Sequence, residues 1–195
     1  METVRSFIAI ELPEELKLGL SKLQAGLKTD DKPWIKWIDT NGIHLTLKFL
    51  GNIQVDRIGE ITQAMTEAAQ GFYPFHLEVR ELGVFPDWKR VQVVWVGLGR
   101  EVDKLGQLQQ LIESKLACLG FAPESRPFRP HLTLARVRNH ASPDERQGLG
   151  KLIASTKFET AYSMKVDAIS LMRSQLTREG AIYSRISSVG LKKNF

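Results

Sequence analysis

The tetrapeptide His44-Leu45-Thr46-Leu47 occurs twice in this chain, and the second copy, His131-Leu132-Thr133-Leu134, lies 87 positions further along. From this composition, chance would produce any one His-Leu-Thr-Leu match in only roughly a few chains per thousand. Side chains alternate along a strand, so each copy places its histidine and threonine on one face and its two leucines on the other. Each copy therefore predicts a strand that is anchored in a core by leucines and offers an imidazole and a hydroxyl to a cleft.

Two imidazoles and two hydroxyls around one cleft suit chemistry at a small anion. Because an ordinary histidine has a pKa of about 6.5, one ring can accept a proton while the other donates one, as displacement at phosphorus requires. The hydroxyls of Thr46 and Thr133 can donate hydrogen bonds to phosphoryl oxygens. A single His-x-Thr segment is more typical of a half-buried strand histidine that is satisfied by a neighbour. The duplication favours the catalytic interpretation.

The remainder of the chain predicts an α+β fold with largely antiparallel sheets. Apolar residues at helical spacing predict one helix after Pro13 and another that is closed by Gly120. The positions that define these helices are Leu16, Leu20, Leu23 and Leu27 in the first, and Leu105, Leu108, Ile112, Leu116 and Leu119 in the second. Several strand-like runs are joined by turns too short for a parallel crossover. No linker rich in glycine, serine or charge divides the chain, so any two lobes are expected to pack together.

Composition sets further limits on the kind of protein. With 195 residues, 43% of them hydrophobic, the chain fits one domain or two small lobes that share a core. The net charge of +5 favours an anionic partner without selecting one. Cys118 is the single cysteine, which excludes an intramolecular disulfide and a site built of cysteines alone, and its apolar surroundings predict burial. The chain shows neither a membrane-spanning apolar run nor a secretory signal, so we expect a cytoplasmic protein without a membrane partner.

The residues that follow each repeat extend the motifs to His44-x-Thr46-x-x-Phe49 and His131-x-Thr133-x-x-Arg136. With these motifs and with residues 6–13, 94–97, 171–174 and 180–183, the chain resembles the two-histidine (2H) phosphoesterases over nearly its whole length. It is most similar to the bacterial and archaeal RNA 2′,3′-cyclic phosphodiesterases, which are also described as 2′-5′ RNA ligases. The two extended motifs are the specific part of this resemblance, and the other segments support it.

The resemblance implies a single domain over residues 1–195, with two packed lobes. Each lobe would be a largely antiparallel sheet with helices on its outer face, and the active-site cleft would lie between the lobes. His44 would be the general acid that protonates the ribose O3′ leaving group, and His131 the general base that activates water. Four further residues would bind substrate: Thr46, Thr133 and Arg136 the phosphate, and Phe49 the terminal base. We expect a monomer that uses no cofactor and no metal and acts on RNA ends or nucleotides with a 2′,3′-cyclic phosphate.

The spacing of Phe49 and Arg136 conflicts with a regular strand. Each residue is five positions after its histidine, so strict alternation would send both side chains to the face opposite the imidazoles. A bulge or a strand end must intervene if they are to reach the cleft. Without one, Phe49 is an ordinary core residue and Arg136 a solvated arginine at a strand end.

Three functional hypotheses remain open from the sequence. The first is hydrolysis of a terminal 2′,3′-cyclic phosphate to a 2′-phosphomonoester. Within the same chemistry, reverse transesterification would join RNA halves through a 2′-5′ bond without ATP. The second is a catalytically silent protein that binds RNA ends or nucleotides in the same cleft. The third is a metal site on His44 and His131, which is disfavoured because neither motif supplies a nearby carboxylate or thiol.

Overall fold

The computed structural model of the chain describes residues 2–28, 32–157, 162–178 and 180–192. Strands, singly or in runs of two or three, are separated by helices. The order along the chain is β1 (Thr3–Glu11), α1 (Glu14–Leu27), β2 (Ile35–Trp37), β3 (His44–Gln54), α2 (Ile58–Ala69), β4 (Phe75–Phe85), β5 (Val93–Arg100), α3 (Val102–Ala117), β6 (His131–Val137), α4 (Pro143–Ser155), β7 (Tyr162–Val166), β8 (Ala168–Leu176) and β9 (Ala181–Gly190). The two histidine motifs begin β3 and β6.

Within these described ranges, the strands form a four-stranded and a five-stranded sheet. The order is β3-β1-β8-β9 in the first sheet and β2-β6-β5-β4-β7 in the second. All neighbouring strands are antiparallel. The predicted α+β class with antiparallel sheets is therefore confirmed, and the two motifs lie in different sheets.

Helices pack on both sheets, and each sheet with its helices forms one of the two predicted lobes. Helices α2 and α3 pack against each other, α2 contacts β8 and β9, and α3 contacts β3, so both belong to the first sheet. Helix α1 contacts β7 and α4 contacts β4 in the second sheet. The leucine spacing that predicted α1 and α3 marks their buried sides, which include Leu16 and Leu20 in α1 and Leu105 and Leu108 in α3.

A hydrophobic cluster extends through both lobes and fixes the orientation of the motif strands. Leu45 of β3 and Leu132 of β6 are fully buried in it, together with residues of the neighbouring strands such as Ile8 and Leu171. Because a strand cannot turn over without moving its leucines out of the core, the opposite faces of β3 and β6 are held toward the space between the sheets. The two motif strands also contact each other directly.

Two features concern the surface of the molecule. Cys118 is exposed, so its predicted burial is wrong. It lies two residues beyond Leu116, which is on the buried stripe of α3, and about 100° of rotation per residue carries it to the opposite side of the helix. Among the described residues, no helix has the length and apolar character that crossing a membrane requires.

Candidate active site

A cleft of about 410 Å³ lies between the two sheets and receives both motifs. All six residues that the sequence singles out line it: His44, Thr46, Phe49, His131, Thr133 and Arg136. Phe7 and Tyr183 from the first sheet form part of the same wall, and Arg5 lies at its margin. Two segments that are distant in sequence therefore present the same pair of side-chain types to one space.

A bulge in each motif strand brings Phe49 and Arg136 to the histidine face. In β3, Thr46 pairs with Ala9 and Lys48 with Ile8, so Leu47 has no opposing residue. The alternation shifts by one position at the bulge, and as a result Leu47 and Lys48 are both buried while Phe49 is 68% exposed.

The second motif repeats this geometry. Thr133 of β6 pairs with Trp95 and Ala135 with Val94, which leaves Leu134 as the unpaired residue. Leu134 and Ala135 are both buried, and Arg136 is exposed on the cleft side. The bulge that the spacing required is present at the same position of both copies.

Backbone carbonyl groups hold the two imidazole rings in the same way. Nδ1 of His44 lies 2.8 Å from the carbonyl oxygen of Gly42, and Nδ1 of His131 lies 2.6 Å from that of Arg129. A carbonyl oxygen can only accept, so each Nδ1 carries a hydrogen and donates it. Nε2 of each ring is consequently the atom that accepts a proton when the ring is neutral and donates one when it is charged.

Aromatic side chains pack around each imidazole. The His44 ring stacks on Phe7 with 4.5 Å between centroids, and the edge of Tyr183 approaches it at 4.8 Å. His131 meets Phe85 edge-on at 5.0 Å, and its centroid is 6.2 Å from that of Trp95. These rings restrict rotation of the imidazoles and displace water from one side of each.

Burial is the largest influence on both rings, and it lowers the pKa of His44 and of His131 below the ordinary histidine value because the charged form loses hydration. The carbonyl group beside each Nδ1 opposes this effect. The neighbouring charges act in opposite directions, since the Glu11 carboxylate raises the pKa of His44 while the Arg136 guanidinium lowers the pKa of His131. These charges favour a proton on His44 and its absence from His131.

Other candidate groups lie outside this cleft. His76 and His140 are exposed and do not line it. Among the residues that the structure describes, no group of three or more histidine, cysteine, aspartate or glutamate side chains comes together as a metal site.

Sequence reasoning did not single out Glu11, which is not among the cleft-lining residues but raises the pKa of His44 through its charge. Glu11 lies directly opposite His44 in the pairing of β1 with β3, and its carboxylate also accepts hydrogen bonds from Arg185 at 2.7 and 3.0 Å. Nothing in the order of residues links positions 11, 44 and 185, because the connection arises only when β1 and β3 pair in this register.

Comparison with known proteins is consistent across sequence and fold. The family model described as LigT like phosphoesterase matches residues 10–95 and 96–183, and each matched segment contains one of the two motifs. An RNA 2′,3′-cyclic phosphodiesterase from Methanothermobacter thermautotrophicus is 34% identical over 181 residues, which are 93% of this chain and 95% of that protein. A protein of the same name from Escherichia coli K12 is 30% identical over 163 residues, or 83% of this chain and 88% of that one.

The solved structure of Escherichia coli LigT complexed with 3′-AMP has the same fold. It superposes with a TM-score of 0.78 at 25% sequence identity, covering 98% of this chain and 100% of that chain.

Proposed function

Since the chain belongs to the LigT like phosphoesterase family, we propose that it is an RNA 2′,3′-cyclic phosphodiesterase, which opens the cyclic phosphate of an RNA end or nucleotide to a 2′-phosphomonoester. The names of its relatives support this reaction, and the convergence of both His-x-Thr motifs on one cleft carries the proposal.

In the proposed reaction, Nε2 of neutral His131 removes a proton from a water molecule as the water oxygen forms a bond to phosphorus. The bond between phosphorus and O3′ breaks, and protonated His44 gives its Nε2 proton to O3′. The ring orientations support Nε2 as the reacting atom in both roles, because Nδ1 of each histidine is engaged by a carbonyl and only Nε2 is available. Burial, the larger influence, lowers the pKa of both rings, and the neighbouring charges distinguish them: Glu11 raises the pKa of His44, as the general acid requires, and Arg136 lowers the pKa of His131, as the general base requires.

The other cleft residues supply binding groups. The Arg136 guanidinium and the hydroxyls of Thr46 and Thr133 are proposed to bind the phosphoryl oxygens, where negative charge increases in the transition state. Phe49 is proposed to stack on the terminal base, and its exposed ring on the cleft wall supports that role.

Several finer features belong to the same proposal. The histidines are proposed to work without a metal. With the 5′-hydroxyl of a second RNA in place of water as the nucleophile, the same chemistry would break the bond between phosphorus and O3′ and join the two ends through a 2′-5′ bond. Residues 1–195 are proposed to act as one two-lobed domain, which the hydrophobic cluster shared by both lobes supports. The cytoplasmic location and the monomeric state stay predictions from the sequence.

The test is turnover of a short RNA oligonucleotide that ends in a 2′,3′-cyclic phosphate, measured in EDTA with identification of the product. We expect release of the 2′-monophosphate. Because general acid–base catalysis contributes about 10²–10⁴ in rate, His44→Ala and His131→Ala should each lose most of the activity. His76→Ala is the matched control, since His76 is exposed and outside the cleft, and it should retain wild-type activity.

Other outcomes would replace the proposal with one of its competitors. Tight binding of the oligonucleotide without turnover would identify a silent binder. Activity that is lost in EDTA and restored by zinc would identify a metal-dependent enzyme. Addition of a 5′-hydroxyl RNA without ATP tests ligation, and formation of a 2′-5′ linkage is the expected result.

A further inference from the structure

Two buried glutamines contact the bulges that direct Phe49 and Arg136 into the cleft. Gln24 is 4% exposed, and its Nε2 donates to the carbonyl oxygen of Leu134, the bulge residue of β6, at 3.0 Å. Gln109 is 6% exposed, and its Nε2 lies 3.4 Å from the carbonyl oxygen of Leu47, the bulge residue of β3. The same type of side chain therefore reaches the same backbone position of both motifs.

The two glutamines also occupy equivalent places in the chain. Gln24 ends the segment Leu20-Ser21-Lys22-Leu23-Gln24 of α1, and Gln109 ends Leu105-Gly106-Gln107-Leu108-Gln109 of α3. These Leu-x-x-Leu-Gln segments are 85 positions apart, close to the 87 that separate the histidine motifs. The glutamines thus belong to the same internal repeat as the histidines.

Each helix reaches the motif of the opposite half of the chain. Helix α1 follows β1 of the first sheet but contacts β7 of the second, and its Gln24 bonds to β6. Helix α3 follows β5 of the second sheet but contacts β3 of the first, and its Gln109 approaches β3. The first and second halves of the chain therefore exchange helices, and each glutamine lies in the same lobe as the bulge that it contacts.

A bulge interrupts the regular ladder of backbone hydrogen bonds, so buried donors that reach it add hydrogen bonds that favour the bulged conformation. The carbonyl oxygen of Leu134 accepts from Gln24 as well as from the N–H of Ile38, and Gln24 is the group that bridges the carbonyl groups of Leu134 and Ile38. Gln24 also donates to the carbonyl oxygen of Ile38 at 2.8 Å, and the N–H of Ile38 donates to Leu134 at 2.9 Å. The amide of Gln24 thereby ties the bulge of β6 to the chain segment that follows β2.

The bulge of β3 is held by a longer network. Nε2 of Gln109 also donates to Oε1 of Glu113 at 3.1 Å, and Oε2 of Glu113 accepts from Lys48 at 2.6 Å. Lys48 is the residue that the bulge turns into the core, directly before Phe49.

We propose that Gln24 and Gln109 are positioning residues, Gln24 for the phosphate-binding Arg136 and Gln109 for the base-stacking Phe49. Each fixes the bulge of the motif that belongs to the other half of the chain, and neither lines the cleft. The functional consequence rests on the roles proposed above for Arg136 and Phe49.

A purely structural role for the glutamines makes a different kinetic prediction. If they only stabilise the packing of α1 and α3, their replacement lowers the free energy of unfolding, and any loss of folded protein lowers the apparent kcat by the same factor whether or not Arg136 or Phe49 is present, with KM unchanged. If Gln24 acts through Arg136, its replacement removes transition-state stabilisation and lowers kcat. If Gln109 acts through Phe49, its replacement weakens base binding and raises KM while kcat is retained.

The decisive experiment is a kinetic double-mutant cycle with the cyclic phosphate oligonucleotide. Gln24→Met keeps the length of the side chain and removes the donor, and we expect kcat to fall about 10-fold or more, since small displacements of positioned groups cost that much. In an Arg136→Ala background the same change should have no further effect, beyond about twofold. Gln107→Met, on the exposed side of α3, is the matched control and should leave kcat and KM unchanged.

A second cycle pairs Gln109→Met with Phe49→Ala. Because the contact of Gln109 with Leu47 is longer, we expect a smaller effect, a rise in KM of about threefold that disappears in the Phe49→Ala background. Losses that multiply independently in both cycles would overturn the proposal and leave the glutamines as packing residues.

Two provisions keep the proposal open to refutation. If Gln24→Met does not fold, Gln24→Asn keeps the amide but is too short to span the two carbonyl groups, and the same cycle applies. If the wild-type protein does not turn over the oligonucleotide, the proposed function fails, and the cycle is run on the dissociation constant of adenosine 2′-monophosphate. Independent losses of affinity would then refute the positioning role separately.

Discussion

Replacing Phe49 with alanine tests whether this residue stacks on a base or packs in the core. The sequence alone allows both interpretations. Base stacking predicts a large rise in KM with a small loss of stability, and core packing predicts a large loss of stability with an unchanged KM. Phe49 is 68% exposed, and its ring contact with Phe7 is tilted, with 6.1 Å between centroids. Most of the ring is therefore free to receive a base.

The expected magnitudes follow from this exposure. Full burial of a phenylalanine side chain stabilises a fold by about 1.5–3 kcal/mol, so the roughly one-third of Phe49 that is covered should contribute about 1 kcal/mol or less. Stacking of a base on an aromatic side chain contributes about 1–3 kcal/mol, which corresponds to about a 5- to 150-fold rise in KM if KM reflects binding. The catalytic groups are untouched, so kcat should change little.

The assay combines steady-state kinetics on the cyclic phosphate oligonucleotide with urea denaturation of the free protein. Phe49→Tyr serves as the control, because it keeps an aromatic face and should retain the wild-type KM. A loss of 3–5 kcal/mol in the free energy of unfolding, the range typical of Phe→Ala in a core, together with an unchanged KM would refute base stacking.

Two further predictions concern charges around the site. Glu11→Gln removes a negative charge and should lower the pKa of His44 further. Because the general acid then loses its proton at lower pH, the alkaline limb of the pH profile of kcat/KM should move to lower pH. The control Glu15→Gln, on the exposed side of α1, should leave this limb unchanged. Glu113→Ala should lower the free energy of unfolding, measured by urea denaturation, by about 3–5 kcal/mol, because the buried ammonium of Lys48 loses its carboxylate partner. The double replacement Lys48→Met/Glu113→Leu removes both charges and should lower the free energy of unfolding far less. An unmoved alkaline limb, or equal costs for the single and double replacements, would contradict the respective prediction.

The two extended motifs in the sequence single out six residues that line the cleft, but they do not explain how all six reach it. Alternation along a strand correctly groups His44 with Thr46 and buries Leu45, because one face of the strand packs on the core. The same rule sends Phe49 to the wrong face. The shift comes from the unpaired Leu47, and bulges depend on partner strands and buried donors that local sequence does not specify.

The origin of the donors was also out of reach of local patterns. Leucine spacing correctly predicted α1 and α3, since helical periodicity reveals which side of a helix is buried. Periodicity does not reveal what lies against that side, and here each helix packs on the sheet of the opposite half of the chain. The recurrence of Leu-x-x-Leu-Gln, ending at Gln24 and Gln109, is the signal that a search for a second repeat at nearly the same spacing would have found.

Convergence of both imidazoles on one phosphorus is tested most directly by a crystal structure of the protein bound to adenosine 2′-monophosphate. We predict that Nε2 of His44 and Nε2 of His131 both reach oxygen atoms of the same nucleotide, either on its phosphate or at O3′. Each contact is a direct hydrogen bond of about 2.6–3.2 Å or passes through one water molecule. A phosphate held by one histidine while the other points into a separate space would contradict the two-histidine mechanism.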